Sequence, residues 1–282
     1  MRAAFTAALL FWSCDAFAWG QDGHSIIAEI AQRRLTEYAS TQIANSGIVS
    51  RFQTLLPSAS PYYSGPSLAS FAYWGHEWTT LHAETTSWHF IQAPLLAAID
   101  LKRDCPKENC IVAELYRLKS RLLCASLSKE RTDALRWIVN LVADIHQPLN
   151  TVADDEAGEG IEVRLTLSAR SWSRDFTITK TSLHAVWDDV LIRYAFPSWG
   201  SFVDSLEQKE LRDTAFDKLD GGTPLDWASE SHKVARLLWV PSGTLLDNEY
   251  FERTSATLNR QLVLGGLRLA RFLNEAYASR TC

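Results

Sequence analysis

One methionine, five cysteines and no surplus of basic residues mark this 282-residue chain by what is scarce in it. With 28 Lys and Arg against 33 Asp and Glu, the formal charge is -5. That excludes the broad basic face by which many proteins grip nucleic acid through side-chain charge alone. An enzyme of this composition that handles phosphate needs positive charge from another source, such as bound cations. No apolar run approaches the ~20 residues of a membrane-spanning helix. Internal repeats and low-complexity linkers are also missing. What is plentiful is tryptophan, with 11 copies. Trp brings large, rigid apolar surface and a single N–H donor, useful in cores and for stacking on rings. A hydrophobic content of 46% is that of a folded chain rather than a disordered one.

The first eighteen residues read as an address. Arg2 supplies a positive start, Ala3 to Trp12 is a short apolar stretch, and Ala16-Phe17-Ala18 is an A-x-A cleavage signal. Residues 1–18 are therefore expected to be a signal peptide, residues 19–282 the mature domain, and the location secreted or periplasmic. Cleavage leaves Trp19 at the amino terminus and four cysteines: Cys105, Cys110, Cys124 and Cys282. An even number in an exported chain suggests disulfides. Cys105 and Cys110 bracket a turn-like Pro106–Asn109 and form the obvious local pair. Cys124 with Cys282 follows only by elimination.

Most of the remainder carries helical periodicity. One helix opens near Gly23-His24 with Ile26, Ile27, Ile30, Ala31 and Leu35 on a face. Another starts at Asn109 or Cys110. A third begins at Ser128 and runs through Leu135, Ile138, Val139 and Val142 until Pro148 stops it. A shorter one is expected over His184–Tyr194, another over Asp226–Trp239, and a long one through Leu258, Leu262, Leu269 and Leu273. Residues 161–167 alternate strictly, and Phe176–Thr179 alternates again after a polar gap, which predicts a β-hairpin. Residues 47–68 and 152–160 read as loops. The expected architecture is all-α, a single-domain helical bundle with a small hairpin.

Candidate chemistry rests on few residues. His184 and Asp188, four apart on a helix, share a face and make a workable half-site for Zn²⁺ or a surface ion pair. Asp144 stands in an apolar helix, where a carboxylate needs a metal, a cation or several donors. His89 is a lone polar residue between Trp88 and Phe90-Ile91, read as a core histidine or a ligand. His24 lies five residues past Trp19, where a freed α-amino group would offer another nitrogen.

These residues carry a family resemblance. Trp19-Gly20-x-x-Gly23-His24, Asp144-Ile145-His146-Gln147-Pro148-Leu149 and Leu183-His184-Ala185-Val186-Trp187-Asp188 resemble the motifs of the S1/P1 nucleases. So do Leu68–Gly75 and Trp88-His89-Phe90-Ile91. The resemblance implies a phospholipase C/P1 nuclease-like helical bundle with a short disulfide loop at Cys105 and Cys110. It also implies a trinuclear zinc site that cleaves single-stranded DNA or RNA and removes 3′-phosphates from nucleotides. By position, Trp19, His24 and Asp144 would hold one zinc, His89 and Asp144 a second, and His184 and Asp188 a third.

Departures from the family pattern are numerous. The acidic residue after its Trp-Ala is His76 here, which keeps a ligand type, and sequence leaves open whether His76 or His82 approaches the zinc. Two zinc-binding histidines of the family are Asn140 and Asn150, and neutral amides are poor zinc ligands. The Asp that orients the attacking water is Gln92, and the phosphate-side Arg is Thr79. A Gly-Gly-Asn before the hairpin reads Ala157-Gly158-Glu159. Fewer than three tightly bound zincs are expected. The function expected is a zinc-dependent nuclease with a weakened site, acting as a monomer on single-stranded nucleic acid or nucleotides. The alternative is a non-catalytic scaffold that binds nucleotides or another partner.

Overall fold

A computed structural model describes residues 19–48, 67–126, 128–172, 176–212 and 220–279. The expected leader, Cys282 and most of the 47–68 stretch lie outside these residues, and with them the proposed Cys124 pairing. The described helices are α1 (Gln21–Gln32), α2 (Glu37–Asn45), α3 (Trp74–Thr79), α4 (Ile111–Cys124) and α5 (Ser128–Asp144). A composite α6 follows, α-helical over Leu183–Ala185, π-helical over Val186–Val190 and α-helical again over Leu191–Ala195. The chain closes with α7 (Trp199–Lys209), α8 (Pro224–Leu238) and α9 (Asn248–Ala278). The all-α expectation holds, with one small sheet. No described helix is long and apolar enough to cross a membrane.

Packing of α1 against the 31-residue α9 makes the spine of the domain. α1 buries Ile26, Ile27, Ile30 and Ala31. Gly265 and Gly266 let the two backbones approach. A Cβ on Gly266 would lie 2.4 Å from Ile30 Cγ2, closer than carbon atoms can sit, so only glycine fits. The ends of the helices follow local chemistry. Asp247 caps α9 by accepting from the Glu249 and Tyr250 amides. Thr223 and Asp226 form a reciprocal capping box on α8, with Pro224 in its first turn.

The hairpin pairs β1 (Glu162–Leu167) with β2 (Phe176–Ser182) antiparallel, and the alternation seen in sequence becomes an alternation of exposed and buried side chains along β1. A third strand, β3 (Leu245–Leu246), adds parallel to β1. It escaped the sequence reading because two residues carry no period. α2 and α7 were also missed. In α2 only Ala39 and Ile43 are buried, too few apolar positions to show a stripe. The helix expected over 184–194 is interrupted by its π segment, a feature common at functional sites.

The end of α5 is held with unusual thoroughness. Ser231 Oγ of α8 donates to Ile145 O (2.7 Å), and Gln261 Nε2 of α9 donates to His146 O (2.9 Å). His146 Nδ1 bonds Val142 O at 2.7 Å, so its other nitrogen is the acceptor for Arg268 Nη1 at 3.1 Å. Burial, followed by the Arg268 charge, pushes the His146 imidazole down to about 3, consistent with a neutral ring that donates once and accepts once. Side chains from two other helices thus tie down the carbonyls that follow Asp144.

Candidate metal centre

Asp144 is the last residue of α5, not a mid-helix residue, and is fully buried. A carboxylate at a helix C-terminus faces the partial negative charge of the carbonyls, so its position calls for compensation. Three histidines provide it. His24 from α1 and His76 from α3 bring their Nε2 atoms to 3.1 and 3.0 Å from Asp144 Oδ1. The same two nitrogens are 3.1 Å apart. His89, from the 3₁₀ turn Ala83–His89, places Nδ1 2.7 Å from the other carboxylate oxygen, Oδ2. All four side chains are at most 1% exposed.

Close approach of α3 to α5 depends on Gly75. A Cβ there would stand 2.3 Å from Asn140 Oδ1. Asn140 donates from Nδ2 to Ala72 O (3.0 Å), and Asn150 donates from Nδ2 to Asp144 O (3.1 Å). Each therefore spends its amide on the backbone, and each Oδ1 is buried without a hydrogen-bond partner among the described residues.

A second group lies on α6. His184 Nε2 is 3.3 Å from Asp188 Oδ2. Gln147 Nε2 donates to Asp188 Oδ1 at 2.6 Å, while its own oxygen accepts from the Leu149 amide at 2.7 Å. His184 Nδ1 meets Ala157 O at 2.8 Å. That carbonyl is delivered by a run of left-handed residues, Asp155, Glu156 and Ala157, with φ of 44°, 53° and 60°, a conformation that L side chains adopt at a cost.

The electrostatics of the two groups differ in sign of effect. Burial alone would raise the Asp144 carboxyl, but His76 and His89 and the hydrogen bonds from His24 and His76 hold it well below the usual range. Burial drives His76 down to about 3, against the pull of Asp144, which favours the neutral ring, the form that can ligate a metal. Asp188 moves the other way, well above its ordinary value. Burial is the largest cause, the Gln147 bond opposes it, and Glu159, Asp189 and Asp144 add to it. Tyr73, whose ring lies 4.8 Å from that of His76, is also raised, by burial and then by Asp188, Asp189, Asp144 and Glu77.

These observations test whether metal ions fit. None of the largest influences on Asp144 and Asp188 is a lysine or arginine, while Asp188 feels Glu159, Asp189 and Asp144. Neutral imidazoles and carboxylates are zinc donors. His24 Nε2, His76 Nε2 and Asp144 Oδ1 form a triangle with sides of 3.0–3.1 Å. Tetrahedral zinc sets its ligand atoms about 3.3 Å apart, so the triangle is a donor face needing only slight expansion. It is also the one group of three or more metal-type side chains within mutual reach among the described residues. The donor set fits.

The geometry assigns places to the residues singled out in sequence. His24, His76, His89 and Asp144 converge, and His184 pairs with Asp188. His82 does not join. Its ring stacks on Trp78 at 3.9 Å and its Nδ1 meets Trp78 O. Trp19 is buried, 6.5 Å from Trp187 ring to ring, and Gly20 N donates to Asp188 O at 3.0 Å, which ties the segment to α6. Gln92 is exposed. Cys105 and Cys110 form a disulfide, and Cys124 is exposed at the end of α4. The sequence reading left Gln147, Gly75 and Thr85 without roles. Gln147 sat inside a quoted motif, so its place beside Asp144 was the available signal.

The S1/P1 Nuclease family model matches residues 19–278. This chain belongs to the S1/P1 nuclease family. It is 28% identical to Nuclease P1 of Penicillium citrinum, over 93% of this chain and 98% of that protein. Endonuclease 2 of Arabidopsis thaliana is 27% identical, over 96% of this chain and 95% of its own length. Nuclease S1 of Aspergillus oryzae is 24% identical, with 95% of each chain covered. Within this S1/P1 member, His24, His76 and His89 lie around Asp144, and His184 lies beside Asp188.

Proposed function

We propose that this S1/P1 family member is an exported, zinc-dependent nuclease that hydrolyses phosphodiester bonds of single-stranded DNA or RNA and releases phosphate from 3′-nucleotides. Its best metal position is held by His24, His76 and Asp144. The observation that carries this reading is the dry cluster of three histidines around one ionised carboxylate, in a region rich in acidic groups. Bound zinc would supply the positive charge and Lewis acidity that an acidic chain lacks at a phosphoryl group.

The chain's own residues divide the remaining work. Asp144 offers Oδ1 to the His24 and His76 side and Oδ2 to His89, so one carboxylate serves two positions. His89 and Asp144 make the second position, which Asn140 leaves short of a donor. His184 and Asp188 make the third, held by Gln147 and short of a donor at Asn150. Cleavage of residues 1–18 would free the Trp19 amino group as a further nitrogen, and N-terminal sequencing of the exported protein should start there. A monomer of residues 19–282 suffices, since each proposed ligand comes from one chain.

The test is hydrolysis of single-stranded against double-stranded DNA by protein stripped of metal and reloaded with zinc. Zinc-dependent cleavage that prefers the single strand, and that is lost in Asp144→Asn, supports the reading. A second reading, a non-catalytic scaffold that binds nucleotides, is favoured by the binding of Asn140 and Asn150 into backbone hydrogen bonds. It predicts zinc uptake and nucleotide binding with no turnover.

A further inference from the structure

Beyond the proposed ligands, His89 is fixed by a chain of hydroxyls with only one self-consistent set of donors. Thr85 Oγ1 donates to His82 O at 2.8 Å, because a carbonyl can only accept. A hydroxyl carries one proton, so the 2.7 Å contact between Thr79 Oγ1 and Thr85 Oγ1 must be donated by Thr79. That spends the Thr79 proton. Its oxygen is then the acceptor in the 2.9 Å contact with His89 Nε2, and Nε2 must carry the hydrogen. Thr79, Thr85 and His89 are 5%, 4% and 1% exposed, so the chain of hydroxyls is buried.

The far side of the ring follows. With Nε2 turned to Thr79, Nδ1 is the ring atom left to face Asp144 Oδ2, 2.7 Å away. A proton or a metal ion can complete that seam, and in either case Nδ1 is the nitrogen on the Asp144 side. Histidines that bind metals are generally oriented through a hydrogen bond from their other ring nitrogen, and losing that partner weakens metal binding about 10–100-fold.

We propose that Thr79 and Thr85 are positioning residues that hold His89 as its Nε2–H form, so that Nδ1 is the atom presented beside Asp144 Oδ2. Thr79 stands where the family pattern has a phosphate-side arginine. In this chain that position serves the imidazole instead, and charge toward a phosphate must come from elsewhere. The proposal rests on the metal reading above for its purpose. The protonation pattern is measurable without metal, so the two can fail separately.

Nitrogen-15 NMR of the imidazoles in the full mature protein, before and after addition of zinc alone, reads the pattern directly. The expected result is a protonated Nε2 on His89 in both states, with only the Nδ1 signal moving on zinc addition. Thr79→Val should weaken zinc binding at this position about 10–100-fold in a chelator competition, while Thr79→Ser keeps it within about threefold. Thr85→Val should give a smaller loss, because Thr79 can then turn its proton toward Nε2 and compete. An unprotonated Nε2 in the unaltered metal-free protein would overturn the proposal. So would a Thr79→Val protein that binds zinc as tightly as the unaltered one. If Thr79→Val does not fold, the spectrum of the unaltered protein decides alone. Absence of zinc binding in the unaltered protein would sink the nuclease reading, and the metal-free spectrum would still judge the hydroxyl chain.

Discussion

The two metal-facing groups are built in opposite ways. Around Asp144, three imidazoles from α1, α3 and the turn before α4 converge on a carboxylate held ionised. Around Asp188, one imidazole meets a carboxylate that burial, and after it the acidic neighbours, push toward the neutral form, and an amide from Gln147 takes one of its oxygens. The first group stabilises its own anion. The second holds a carboxyl whose partners, His184 and Gln147, do not offset the burial and the neighbouring acids. The difference teaches where substitutions have gone. His76 adds a nitrogen to the Asp144 cluster, while Asn150, where the family pattern has a histidine, brings only an amide already committed to Asp144 O.

The sharpest way to break this comparison is to neutralise its centre. Asp144→Asn removes the carboxylate on which three buried imidazoles converge. Zinc affinity at the cluster should fall by at least about 100-fold, beyond what loss of an orienting partner costs, as read by chelator competition. Retention of tight binding by Asp144→Asn would place the strong position elsewhere.

Gly75→Ala tests the packing beneath the cluster. The added methyl would meet Asn140 Oδ1 at 2.3 Å and Trp137 at 3.0 Å, an overpacking expected to cost about 1–3 kcal/mol. Urea denaturation checks it. The double change with Asn140→Ala should recover part of the loss, because the two atoms in collision belong to one pair.

Asn150→His probes the weaker side. Supplying the imidazole that the family pattern has at this position should raise zinc content per chain, measured by elemental analysis after dialysis. The gain is expected to be modest, about threefold to tenfold in affinity, because the new side chain gives up the bond to Asp144 O. No increase would mean that Gln147 and the left-handed turn already close that side.

The smallest effect is one of pH. A carboxyl raised on folding costs nothing below its unfolded value, near 3.8, and lowers stability progressively as pH rises from there toward its folded value, above which the loss is complete. Metal-free Asp188→Asn should therefore be more stable than the unaltered protein at neutral pH, with the gain vanishing in acid. Zinc should reverse the order at neutral pH. A gain that is flat with pH, measured by thermal melts, would show that Asp188 is not held near neutrality by its surroundings.

Much of this was legible in the residues. Ile26, Ile27 and Ile30 announced α1, and the alternation over 161–167 announced β1, because burial on one face imposes a period. The clustering of His24, His89 and Asp144 was legible only through motifs, since nothing in their spacing brings residues 120 positions apart together. The convergence of His76 on His24 was not legible. It depends on Gly75 letting α3 sit against Asn140, a contact between distant segments. The hydroxyl chain was hidden for a similar reason. Thr79 read as a missing arginine, and its new role appears only once Thr85 and His89 are in contact. The π segment in α6 also left no mark, as a one-residue widening does not disturb the i, i+4 relation of His184 and Asp188.

The central claim is that Asp144 with His24 and His76 forms the principal metal position of this nuclease family member. Diffraction from zinc-loaded crystals at the zinc absorption edge tests it most directly. The account predicts the strongest anomalous peak between His24 Nε2, His76 Nε2 and Asp144 Oδ1, with weaker density beside His184 and Asp188. An empty triangle, or a dominant peak at His184 and Asp188, would contradict it.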